Sequence, residues 1–96
     1  MNAVASLPCA AVAHELECIA YILLRKEEPE LAANLLGAAE ALRKVIDSSM
    51  TKVEQEEYEK EISTLRSMLD EEEFRKQWGK GTKMTMQEAI DLAQAV

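Results

Sequence analysis

Aromatic side chains are nearly missing from this chain, with one Trp, one Phe and two Tyr in 96 residues. Glycine (three) and proline (two) are as scarce, which disfavours an all-β fold with its many tight turns. No run of about 18 apolar residues occurs, so nothing spans a bilayer as a helix. Bases are outnumbered, 11 against 18 acids, giving a net charge of −7 with no basic stripe. Nucleic-acid binding draws on Lys/Arg clusters, so the composition argues against a nucleic-acid partner, and equally against an anionic membrane surface. The first 13 residues lack the positive n-region of a secretory signal. Ser6 stands where a lipoprotein anchor at Cys9 would need a Leu. The chain therefore reads as cytoplasmic.

Cysteine is limited to Cys9 and Cys18. On one helix these would lie roughly 13 Å apart along the axis and on opposite faces, whereas a disulfide needs Cα atoms within about 7 Å. They read as small apolar side chains in a reducing compartment.

What is present is apolar periodicity at helical spacing. Apolar residues make up 48% of the chain and charged residues 30%, a balance that suits one domain over 1–96 with a single modest core. Residues 1–46 are the apolar half, with a net charge of −2 from 4 bases and 6 acids; residues 47–96 carry −5 from 7 bases and 12 acids.

Pro8 suits a helix's first turn, and Leu16, Ile19, Ala20 and Leu23 form one face up to about Arg25. Pro29 ends that run and opens a second helix, in which Leu31, Leu35, Ala38, Leu42 and Val45 make one row. Ala32, Leu36, Ala39 and Ile46 make another, and two rows on a thin helix imply two neighbours. Asp47-Ser48-Ser49-Met50 is a turn cluster. Thr51-x-x-Glu54 and Thr85-x-x-Glu88 have capping-box spacing and open a third and a fifth helix. Asp70 is the N-cap of a fourth, which carries Phe74 and Trp78 on one face and is ended by Gly79 and Gly81. The expectation is an all-α fold of about five helices: a helical hairpin over 13–46 and C-terminal capping helices over 47–96.

Residues 13–46 resemble a tetratricopeptide repeat, with Ala20, Ala32 and Ala39 at its small positions and Leu16 and Leu23 where aromatics are usual. Residues 31–43, Leu-Ala-Ala-Asn-Leu-Leu-Gly-Ala-Ala-Glu-Ala-Leu-Arg, are similar to the C-terminal helical region of large bacterial predicted ATPases and related transcriptional regulators. Tyr58, the Phe74/Trp78 pair and Glu88-Ala89 extend that resemblance over most of 13–96. It implies a C-terminal segment that works as sensor or scaffold, either part of a longer protein or a short gene product. None of the upstream ATPase or DNA-binding motifs is in this chain.

The chemistry-bearing residues are few. Gly79-Lys80-Gly81-Thr82 lacks the spacing of a phosphate loop and the strand before it. His14 and Cys18 are four apart on one helix, but zinc recruits three or four ligands and no second His or third Cys exists. The acid runs Glu54–Glu61 and Asp70–Glu73 lack calcium-loop spacing and suit solvated faces and helix starts. With no catalytic constellation, no metal and no cofactor implied, the expected role is a non-catalytic interaction or self-association module. Its partner would be another protein or a second copy, as a homodimer. The surplus apolar residues Val4, Leu7, Val12, Ile22 and Leu24 are the candidate interface. The alternative is a small-molecule sensor with a pocket between the hairpin and the Phe74/Trp78 layer.

Overall fold

The computed structural model describes the backbone of residues 9–96 and side-chain surroundings from residue 11, and five helices make up the described residues. They are α1 (Cys9–Arg25), α2 (Pro29–Ile46), α3 (Lys52–Met68), α4 (Glu71–Thr82) and α5 (Met86–Ala95). The fold is all-α, with no strand among the described residues.

Each start follows from local chemistry. Pro29 sits at the first position of α2, where its missing N–H costs nothing. The hydroxyls of Thr51 and Thr85 accept from the backbone N–H of Glu54 and Glu88, and each glutamate accepts in return from its threonine's N–H. Asp70 caps α4 by accepting from the Glu73 N–H at 2.7 Å.

The ends of α1 and α2 are less conventional. Glu27 (φ 60°) and Asp47 (φ 53°) both adopt the left-handed conformation that glycine usually supplies there. Behind each, the next residue closes the helix end: the Glu28 N–H donates to Leu23 O at 2.9 Å and the Ser48 N–H to Arg43 O at 3.0 Å.

α2 is the central element. Every residue from Ala32 to Ala39 is buried, because α1 packs on one side of the helix and α4 on the other. The two apolar rows do meet two neighbours. The pairing with α4 is intimate at its glycines: a Cβ placed on Gly37 would lie 2.4 Å from Trp78 O, and one on Gly81 would lie 2.0 Å from Asn34 O. Gly79 and Gly81 therefore do not end α4, which runs on to Thr82. The helix keeps going because Gly81 is where its backbone meets that of α2, and the gain in packing exceeds glycine's helix cost of about 1 kcal/mol. Asn34 fastens the same seam by donating to Gln77 Oε1 at 2.6 Å.

Phe74 is buried and stacks on the half-buried Trp78 (centroids 5.3 Å apart), while the indole N–H donates to Glu40 Oε1 at 3.4 Å. Leu16, Leu35, Leu36 and Leu65 are almost wholly excluded from water, each contributing roughly 2 kcal/mol of burial. α5 returns Ala89, Ile90 and Ala93 to the same core, against α1 and α2. α3 lies outermost: Glu54 faces His14 and Glu61 faces Arg25, so it runs in the same sense as α1.

Candidate functional site

Where α1, α2 and α3 meet, polar side chains collect inside an otherwise apolar fold. Glu17, 2% exposed, projects from the middle of α1 towards α2. A bare carboxylate there would be costly to desolvate. Arg43 answers it with two parallel contacts, Nε to Oε2 at 2.7 Å and Nη2 to Oε1 at 2.9 Å. That hydrogen-bonded partner pushes the guanidinium above its ordinary pKa, against the opposing effect of burial. Tyr58, half-buried beside it, is raised to about 12 by burial and then by Glu40. Tyr21 is raised in the same way, by burial and then by Glu17.

On the outer side of Glu17 stands a chain of three groups. The Glu54 carboxylate lies 3.1 Å from His14 Nδ1, and His14 Nε2 lies 3.6 Å from Cys18 Sγ. A carboxylate, an imidazole and a thiol in that order is the series used to activate a nucleophile. Its surroundings oppose that use. Burial, then Glu15, Glu17, Glu54 and Glu57, raise the Cys18 thiol and keep it protonated. Cys18 also sits mid-helix, where backbone N–H groups are committed to carbonyls one turn back and offer no oxyanion stabilisation. The geometry suits a hydrogen bond or a cation better than a nucleophile.

A second feature is apolar. At the far end of α2, Ala41, Leu42 and Val45 border a concavity of about 310 Å³ whose other wall is Met84, Met86 and Ala89. Val45 is 83% exposed and Met86 41%. Val45 thus leaves the buried row to which its spacing assigns it, because α4 crosses α2 nearer the helix middle, at Gly37.

The sequence-derived interface residues fall in three places. Val12 and Leu24, 2% and 5% exposed, belong to the core and present no surface. For Val12 the reason is α5, whose Ile90 and Ala93 share a small hollow with Val12, Leu16 and Ile19. Ile22 is 52% exposed and does face outward. Val4 and Leu7 lie outside the described residues. Sequence reasoning missed Val45 and Met86 as exposed apolar surface. It also missed the Glu17–Arg43 pair, which spans 26 residues and leaves no local signature. At the hairpin's other flank, the α2 backbone at Gly37 packs directly against that of α4 at Trp78.

Among the described residues no helix is long and apolar enough to cross a membrane. No protein-family model, characterised protein or solved structure matches this chain.

Proposed function

We propose that this chain is a non-catalytic, cytoplasmic helical module that binds a protein partner, in the simplest case a second copy of itself. The supporting observation is the apolar concavity at the end of α2, with Val45 83% exposed on a chain of net charge −7. A large aliphatic side chain left in water at the lip of an apolar hollow marks a contact surface more often than an accident of packing. Surrounding charge keeps the free module soluble while that hollow supplies the contact. The resemblance to the helical tails of bacterial regulatory ATPases fits the same role, as the end of a tetratricopeptide-like array.

The test is molar mass by light scattering over a wide concentration range, in chelator so that metal bridging plays no part. The reading expects a dimer that Val45→Asp dissolves while the circular dichroism spectrum is unchanged. A chain that stays monomeric throughout removes self-association. Reproducible turnover of any substrate, abolished by His14→Ala, would replace the module with an enzyme.

A further inference from the structure

The ligating atoms of Cys18 and His14, one helical turn apart on α1, lie 3.6 Å from each other. That distance has a geometric meaning. Two ligands of a tetrahedral zinc ion, with Zn–S about 2.3 Å and Zn–N about 2.0–2.1 Å, stand about 3.5–3.6 Å apart. The imidazole is also turned the right way. With the ring proton on Nδ1, 3.1 Å from Glu54 Oε2, the Nε2 lone pair would be directed at Sγ. Metal-ligating histidines usually have such a carboxylate behind them. Both side chains reach solvent, His14 being 49% exposed and Cys18 half-buried.

Among the described residues no group of three His, Cys, Asp or Glu has metal-binding geometry. Within one chain the pair could supply only two of the four ligands that zinc takes. We propose that Cys18 and His14 form a zinc half-site completed by the same two residues of a second copy of this chain, so that one ion bridges two protomers. Thiolate with imidazole selects zinc over magnesium or calcium. Binding releases the two thiol protons, and Zn²⁺ with two thiolates and two neutral imidazoles is an electrically neutral centre. Glu54 and Glu57 border the same hollow, and two such rims repel each other unless a cation lies between them. Val53, 76% exposed at that rim, gives the second copy an apolar contact. This inference goes beyond the apolar-face reading and uses a different surface, so either can fail alone.

The experiment takes the untagged chain through light scattering, first in chelator and then with zinc chloride at one ion per two chains. The expected result is a doubling of mass that saturates at that ratio and reverses on chelation. Cobalt in place of zinc should give the visible bands of a tetrahedral ion together with thiolate-to-cobalt charge transfer. His14→Ala and Cys18→Ser should each lose the zinc-dependent step with circular dichroism unchanged, and Cys9→Ser should keep it. Glu54→Gln should weaken zinc binding about tenfold or more. If the chain is already dimeric in chelator, zinc must double its mass again. No mass change, one zinc held per monomer, or a zinc-dependent dimer that survives Cys18→Ser would each overturn the half-site.

Discussion

Gly79 and Gly81 stand two residues apart in α4, and a single methyl group on each should act in opposite directions. An alanine at Gly79 meets nothing within 4 Å, so the helix gains propensity and the fold should gain about 0.5–1 kcal/mol. At Gly81 the same methyl would lie 2.0 Å from Asn34 O, 2.8 Å from its carbonyl carbon and 3.0 Å from the Ala38 nitrogen. Ordinary contact begins near 3.4 Å, so α2 and α4 must separate by about 1.4 Å at the crossing. Backbone lies on both sides, and no rotamer change relieves the clash. Overpacking of this kind costs about 1–3 kcal/mol. The wide contact between α2 and α4 puts Gly81→Ala at the upper end, a net loss of about 2 kcal/mol after the propensity gain. Gly37→Ala, against Trp78 O at 2.4 Å, should fall between the two. Urea titration followed by far-ultraviolet circular dichroism and Trp78 fluorescence reads the series. With a slope of about 1 kcal/mol per molar urea, Gly81→Ala should lower the midpoint by about 2 M. If Gly81→Ala instead tracks Gly79→Ala, the close seam between α2 and α4 is wrong.

Arg43→Met leaves Glu17 buried without its partner and should cost about 3–5 kcal/mol in denaturant titration at neutral pH, whereas Glu17→Leu combined with Arg43→Met should recover most of that loss; equal damage from the single and the double change would refute the pairing. Acid should act on the start of α3: the Thr51 N–H donated to its carboxylate holds Glu54 below the ordinary carboxylate range, with partial desolvation opposing. A lowered folded-state value means that this contribution is full above the unfolded value and lost as pH falls through the folded one. The stability gap between the native chain and Glu54→Gln should therefore close as pH drops below about 4, and a gap that stays constant from neutral pH would contradict the cap.

The helices are legible in the sequence because their signals are local. Pro29, the two threonine–glutamate boxes and Asp70 each act within one turn, and each sits where α2, α3, α5 and α4 begin. The ends of α1 and α2 are harder to read, because Glu27 and Asp47 adopt a glycine-like conformation with no glycine to announce it. Gly79 and Gly81 mislead in the opposite sense. A glycine at a helix end and one at a helix crossing look alike until the partner helix is in place. The polar junction shows the same limit. His14 and Cys18 share a face by spacing alone, but Glu54 and Arg43 arrive from other helices, and only the packing of α2 and α3 on α1 brings them together. Val45 has the spacing of a buried residue and is left in water because α4 is short and crosses elsewhere.

The outlying position of α3 gives the molecule two grades of cohesion. α1, α2 and α4 are joined through continuous apolar contact and close backbone approach. α3 anchors itself through Leu65 and a few half-buried neighbours, and is otherwise tied by His14–Glu54 and Arg25–Glu61. A pair that reaches solvent, as His14–Glu54 does, contributes only about 0–1 kcal/mol and weakens as salt rises, whereas Glu61 is itself buried behind Arg25. α3 buries only Glu61 and Leu65, far less than α2 buries between α1 and α4, so hydrogen exchange should find the α3 amides opening before α2 and α4 separate. Glu54 leaves with α3, and with Glu54 goes the group that orients His14. The helix that holds on least firmly governs whether the imidazole beside Cys18 is aimed or free to turn.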